Sequence, residues 1–354
     1  MTMHVLCKDC WIKHDPTTLL CRCKQCEANT KIDRPVPLES KSGNSPFPRS
    51  QPLVCTGHNV PEPLDIYCNE CGKEVSPRAL VNERGVVAFV GDRKSGKTSL
   101  LWVLSEKLRQ ENQAGIYIRQ PLGDSDKQMA GAVQGILTSG IINATPWGDA
   151  DARNYAWEVI LPSGEMTVIA FHDASGELWS KLPELPRLAH KRFYRYLDLA
   201  GSIVLTIDGE RLSEAIAATE RRGVSDPAGA RAAQLHELTI VDALGRRLRA
   251  RGVRLPIAAV VTKADMVWDD ERWSLFREDG EEDGDIDAAV RRLLRAAGRK
   301  TLLDSIDLYF NPVRFFAVSA FGGVPKQPLR IEDVHPTRVE EPLLALLQNS
   351  LPRS

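Results

Sequence analysis

The stretch Gly91-Asp92-Arg93-Lys94-Ser95-Gly96-Lys97-Thr98 decides the reading of this chain, because it fits G-x-x-x-x-G-K-[ST] without a mismatch. It follows the apolar run Val86–Val90 and precedes a segment in which Leu100, Leu101, Leu104 and Leu108 share one helical face. Strand, glycine-rich loop and helix in that order are the context the motif needs. The glycines let backbone N–H groups wrap a phosphate, and the helix that follows points its positive end at it. Lys97 is expected to neutralise β/γ oxygens and Thr98 to ligate Mg²⁺, with Asp92, Lys94, Ser95 and Ser99 as the other cradle candidates. A glycine-rich turn that only caps a helix would not need the lysine and the hydroxyl together.

Working outward, β-branched runs alternate with helical patterns, the signature of an α/β sheet with crossover helices. Strands are expected at Val86–Val90, Tyr155–Leu161, Thr167–His172, Ser202–Asp208, Ile257–Thr262 and Arg314–Val318. Helices are expected after Lys97 and over Ala230–Ala250, Ile286–Ala297 and Val339–Leu346. The third strand ends in Asp173-Ala-Ser-Gly176-Glu177, which brings a carboxylate and a glycine to the carboxyl edge of the sheet. Asp173 there suits the Mg²⁺ shell, and the Gly176 N–H suits a γ-phosphate that is lost on hydrolysis.

The fifth strand delivers Thr262-Lys263-Ala264-Asp265, and the sixth delivers Ser319-Ala320. Phosphate loop, D-x-x-G, [NT]-K-x-D and S-A in this order resemble the translation-factor-related class of P-loop GTPases, which includes the Ras-like proteins. The resemblance covers about Gly85 to Gly323. It implies a three-layer α/β fold with a mostly parallel sheet, GTP and GDP as ligands, and Mg²⁺ as cofactor. By the same resemblance Asp265 accepts from guanine N1 and N2, the Lys263 stem covers the base, and the loop at Ser319 and Ala320 reads guanine O6. Thr262 stands where Asn is commoner in the family, and Phe321-Gly322 departs from its best-known members. Glu177 stands where Ras-like proteins use Gln to orient the attacking water, so the residue can orient water, act as a base or be turned away. The implied activity is GTP hydrolysis, slow without a partner, with Lys97, Glu177 and Thr145 as catalytic candidates. Thr145 is the candidate first-switch ligand to Mg²⁺, with Thr138 the alternative and a turn role the plainer reading of both. The competing reading is a catalytically inactive, GTP-bound scaffold, and a third is an ATPase of another P-loop lineage.

All eight cysteines lie between Cys7 and Cys71. Two metal sites are expected from their spacing: Cys7-x₂-Cys10 with Cys23-x₂-Cys26, and Cys55-x₂-His58 with Cys68-x₂-Cys71. Cys21 is left over and is an alternative to Cys23. Disulfides are the competing account, but they are rare in the reducing compartment expected of a chain with no recognisable export signal. About two Zn²⁺ per chain would supply folding energy that residues 1–80 lack, since few long apolar runs occur there. Residues 32–53 read as a linker within this module, and 81–354 as the GTPase domain with insertions at about 209–254 and 269–300.

Composition closes off other classes. The 354 residues are 43% hydrophobic and 26% charged, ordinary for a globular chain. With 46 Lys plus Arg against 47 Asp plus Glu, the net charge of -1 gives no global field for a polyanion or an anionic membrane. The first 80 residues hold 10 basic and 9 acidic residues, and thiolate coordination makes them more acidic, which argues against a nucleic-acid reader and for protein docking. No apolar run approaches the ~20 residues of a membrane span, so the expected location is cytoplasmic. The acidic run from Asp279 to Asp287 begins like a calcium loop, but Val290 stands where the bidentate Glu is needed. Zinc ribbons joined to a GTPase also resemble the bacterial double-GTPase proteins of multi-component conflict or defence systems, which implies protein partners, possibly a second GTPase.

Overall fold

The computed structural model describes residues 4–7, 9–14, 20–22, 34–35, 54–55, 62–63, 65–75, 80–81, 86–92, 94–109, 117–121, 153–160, 166–173, 191–220, 227–268, 271–276, 285–323 and 334–348. Its main sheet contains β1 (Val87–Gly91), β2 (Tyr117–Pro121), β3 (Arg153–Ile160), β4 (Met166–Asp173), β5 (Ser202–Asp208), β6 (Ile257–Thr262) and β7 (Val313–Ala317). Strands β7, β6, β5 and β1 are hydrogen-bonded in that order and run parallel. Strands β2, β3 and β4 form an antiparallel meander. A single parallel bridge, Val86 opposite Ala170, joins the two groups, so β4 lies beside β1. All six expected strands are present. Among the described strands of this sheet, β2 alone was not expected.

The described α-helices are α1 (Lys97–Arg109), α2 (Lys191–Leu199), α3 (Gly209–Glu220), α4 (Pro227–Ala250), α5 (Ile286–Ala296), α6 (Lys300–Tyr309) and α7 (Glu341–Gln348). Strands β1, β5 and β6 are buried along their whole length, which explains their continuous rather than alternating apolar runs. Their side chains feed two cores, one on each face of the sheet. Leu100, Leu104 and Leu108 of α1 pack with Phe89, Trp157 and Phe171 on one face. Ile240, Leu244, Leu293 and Ile306 pack with Ile203, Leu205 and Ala259 on the other. Helices α4 and α6 cross where Gly245 faces Tyr309; a Cβ at 245 would lie 2.1 Å from the ring.

Residues 4–14 and 65–81 add short strands, with Val5 opposite His14 and Leu80. Their apolar residues Val5, Leu6, Trp11, Ile66 and Val75 are buried, and they belong to the same core as Val86, Tyr196 and Ile203. These residues are too few to enclose a core of their own, so they borrow one from the sheet.

Candidate functional site: the phosphate loop and the base-reading corner

Strand β1 ends at Gly91, and the loop turns back under Thr206 of β5. A Cβ on Gly91 would meet Thr206 Oγ1 at 2.0 Å and Ser95 Oγ at 2.8 Å, so only glycine fits. Ser95 Oγ and Thr206 Oγ1 are themselves 2.7 Å apart and hydrogen-bonded. Gly96 has φ +76° and Lys94 φ 64°, left-handed values that bend the loop so that α1 can begin. Lys97 is buried, and its Nζ donates to the carbonyls of Gly91 and Asp92, each at 2.8 Å. The ammonium therefore lies folded into its own loop, within reach of a phosphate placed there. Ser99 is buried behind it and Thr98 half-buried.

Thr262 ends β6 beside this loop. Its Oγ1 lies 2.8 Å from the Ser95 carbonyl and 3.1 Å from that of Ile207, so one proton is shared between loop and sheet. A threonine hydroxyl can thus tie the phosphate loop to the T-K-x-D turn. Lys263 has φ 50°, and its Nζ bonds Asp208 at 3.2 Å and Glu210 at 2.7 Å. Burial works against its charge, but the hydrogen bond to Glu210 and the nearby Asp208 outweigh it and raise its pKa above the usual lysine value. Glu210 is held below the ordinary carboxyl range, chiefly by its hydrogen bond to Lys263. Gly209 is required between them, since a Cβ there would lie 2.4 Å from the Thr262 carbonyl.

Asp265 is aimed by Ser319, whose hydroxyl donates to Asp265 Oδ1 at 2.5 Å while accepting from the Gly322 N–H at 2.9 Å. The turn at 319–322 is pinned in its turn, because Ser319 and Thr337 exchange backbone hydrogen bonds and Gly322 (φ +75°) leaves no room for a Cβ against the His335 carbonyl. Phosphate loop, T-K-A-D turn and S-A turn now meet at the carboxyl ends of β1, β6 and β7, in strand order β7-β6-β5-β1-β4. The fold is an α/β sheet with a core on each face and a phosphate-type loop between β1 and α1.

No protein-family model matches the chain, and no curated protein matches it. Among solved structures it is similar to the signal recognition particle receptor SRb-GTP/SRX complex from Chaetomium thermophilum, at 11% identity and TM-score 0.35, over 68% of this chain and 92% of that one. It is also similar to Methanosarcina barkeri Roco2 RocCORdC bound to GDP, at 14% identity and TM-score 0.31, over 76% and 49% of the two chains. The S. cerevisiae Ski7 GTPase-like domain bound to GTP matches at 15% identity and TM-score 0.36, over 77% and 51%. The chain spans about half the length of the last two.

Asp92, second in the phosphate loop and already a cradle candidate in the sequence, would place a buried carboxylate beneath any bound phosphate; the charged residues packed around it carried no signal in the sequence. Arg211 neutralises it, with Nη1 at 2.5 Å from Asp92 Oδ2 and Nε 3.8 Å from Asp208. Burial is the largest single effect and opposes the Arg211 charge, but the bond to Asp92 and the negative charges of Asp92, Asp208 and Glu237 together outweigh it and raise its pKa. Behind it Glu237 and Arg299 form a buried pair, 3.8 Å apart, and neither Glu237 Oε2 nor Arg299 Nε has a hydrogen bond. Burial pushes Glu237 up to about 7, although Arg299 and Arg211 pull it down. The arginines that close α4 act as clamps: Arg247 grips Asp198 of α2 through two bonds of 2.9 and 2.6 Å, and Arg254 caps the α6 carbonyls of Asp307 and Leu308. Asp173 ends β4 at the expected edge, its backbone opposite Arg153. Thr138, Thr145, Gly176, Glu177 and the 279–284 run lie outside the described residues.

The metal expectation needs a correction. Among the described residues Cys7 and Cys10 meet Cys68 and Cys71, where spacing had paired Cys7 and Cys10 with Cys23 and Cys26, and the four sulfurs lie within 4.8 Å of one another. Cys7 Sγ is 3.6 Å from Cys71 Sγ, and Cys10 Sγ 3.5 Å from Cys68 Sγ. Tetrahedral Zn–S bonds of ~2.3 Å would separate the sulfurs by about 3.8 Å, so the donor set fits zinc. The two turns match: Trp11 N bonds the Cys7 carbonyl and Gly72 N the Cys68 carbonyl, both at 2.9 Å, and Trp11 and Gly72 are both left-handed. Bonds from Cys10 lower Cys7 to about 6, while burial raises Cys71 to about 12 and the Cys7 bond raises Cys10 further. Without a cation the cluster resists a second thiolate; a divalent metal removes that resistance. His14 Nε2 lies 3.2 Å from Cys68 Sγ, and burial lowers its pKa, so the neutral ring can donate to that sulfur as an outer-shell partner. Cys23, Cys26 and His58 lie outside the described residues, as do the side chains of Cys21 and Cys55. Among the described residues no helix is long and apolar enough to cross a membrane.

Proposed function

We propose that the chain is a Mg²⁺-dependent, GTP-binding and GTP-hydrolysing switch that docks protein partners through its zinc module. The observation that supports guanine selectivity best is Asp265, held by the Ser319 hydroxyl in a turn that Thr262 ties to the phosphate loop. A carboxylate fixed in this way accepts from the amine-bearing edge of guanine and leaves adenine without donors in the right places. Lys97 would leave the Gly91 and Asp92 carbonyls for the β/γ oxygens, and Gly91, Gly96 and the loop N–H groups would wrap them. Thr98, Asp173 and Thr145 are the residues proposed to hold Mg²⁺, which supplies charge neutralisation between the phosphates when bound. Gly176 is the proposed γ-phosphate sensor, Glu177 the water-orienting residue, and Ala320 the guanine O6 contact.

With Cys7, Cys10, Cys68 and Cys71 as one zinc site, the remaining pairs Cys23/Cys26 and Cys55/His58 are proposed as a second, nested site. Partners in a bacterial multi-protein conflict or defence system, a second GTPase among them, fit this architecture. Calorimetry of the purified chain with GTP and ATP tests the central claim: GTP should bind with Mg²⁺ and ATP should not compete. Single-turnover hydrolysis abolished by Lys97→Ala then assigns the enzyme, whereas tight binding without cleavage assigns the GTP-bound scaffold. Equal affinity for both nucleotides, or for neither, overturns the reading.

A further inference from the structure

In the proposed reading β1 leads into the phosphate loop at Gly91 and β4 ends at the Mg²⁺ candidate Asp173, yet the single bridge between the two strands is Val86 opposite Ala170. Continuing that register would next set His172 against Ala88. Instead, the β1 groups that come next belong to a side chain of α2. The Tyr196 hydroxyl donates to the Val87 carbonyl at 2.8 Å and accepts from the Phe89 N–H at 3.0 Å. Val87 and Phe89 are two residues apart, so these groups lie on one edge of the strand, and the hydroxyl stands where a neighbouring backbone would pair. Tyr196 is fully buried.

Two contacts keep it there. Asp198, two residues on, is gripped by Arg247 of α4. On the other side the Trp11 ring lies 4.7 Å from the Tyr196 ring at 49°. Trp11 follows Cys10 and carries φ 56°, the conformation that glycine adopts at the matching position 72 of the partner turn. A bulky residue holds that conformation at a cost. Burial of its indole against Tyr196 offsets that cost, so the thiolate turn and the tyrosine are packed as one unit.

We propose that Tyr196 is a positioning residue for the nucleotide site, a wedge that sets the spacing of β1 from β4, and that the zinc turn holds the wedge through Trp11. The inference rests on the GTP-binding reading above. The spacing governs how the phosphate loop with Thr98 faces Asp173, so it acts on the Mg²⁺-dependent part of nucleotide affinity and not on the loop's own grip.

The test compares affinity for a non-hydrolysable GTP analogue with Mg²⁺ and with EDTA, using full-length protein whose zinc content is measured. Tyr196→Phe keeps the ring but removes the hydroxyl; the tightening produced by Mg²⁺ should fall roughly five- to tenfold, the scale of one hydrogen bond, while affinity in EDTA changes less than about twofold. Trp11→Ala should reproduce the loss with the hydroxyl intact, and Trp11→Phe should restore most of it. Unchanged Mg²⁺-dependent tightening in Tyr196→Phe overturns the inference, and so does an equal loss with and without Mg²⁺, which marks a merely structural role. If the unsubstituted chain binds the analogue in neither condition, the GTP-binding reading fails first and this inference falls with it.

Discussion

Replacing Glu237 by Gln should flatten a pH dependence that the buried pair builds into folding. The Glu237 side chain is 2% exposed, its Oε2 has no hydrogen bond, and burial raises its carboxyl from 4.5 to about 7. Arg299 and Arg211 face it and favour the carboxylate, while Asp92 and Asp208 disfavour it. The folded state therefore holds the proton more tightly than the unfolded chain does. Its contribution is fully present below about pH 4.5 and is lost as pH rises through about 7. At ~1.4 kcal/mol per unit, the whole span is roughly 3 kcal/mol, of which roughly 2 kcal/mol falls between about pH 5.5 and about pH 8. Urea unfolding followed by circular dichroism, run on both proteins across that range, gives a difference curve in which shared titrations cancel. Wild-type stability should fall relative to Glu237→Gln by that amount as pH rises. Parallel curves would refute the buried-carboxyl account.

Thr262→Val should weaken guanine-nucleotide binding roughly fivefold or more by calorimetry, because the Ser95 carbonyl loses its tie to β6. Asp265→Asn should cost about 100-fold or more in GTP affinity and recover binding to xanthosine triphosphate, whose C2 carbonyl accepts from the new amide where guanine's amine donated to the carboxylate; Ser319→Ala should be milder. Gly245→Ala should lower stability by about 1–3 kcal/mol, since the new methyl collides with the Tyr309 ring, and Tyr309→Ala in the same protein should relieve most of that. Cys68→Ser should remove one zinc per chain by elemental analysis while Cys26→Ser removes the other; loss of both ions from either variant would contradict two separate sites.

What the sequence by itself determined were the features encoded in contiguous residues. Gly91 to Thr98, Thr262 to Asp265 and Ser319-Ala320 each sit on one strand end, so their chemistry and their strands were legible without coordinates. Helix α2 and the split of the 209–254 stretch into α3 and α4 were not, because short amphipathic segments beside arginine runs resemble solvated faces. Tertiary structure alone decided which knuckles meet. Spacing along the chain favours neighbours, Cys7/Cys10 with Cys23/Cys26, but ligation needs sulfurs at one point, and the backbone brings the first and last turns together. The same holds for Arg211 against Asp92, Tyr196 between β1 and β4, and the Glu237–Arg299 pair. Each joins residues far apart in sequence through burial, and burial is a property of the packed sheet and its helices.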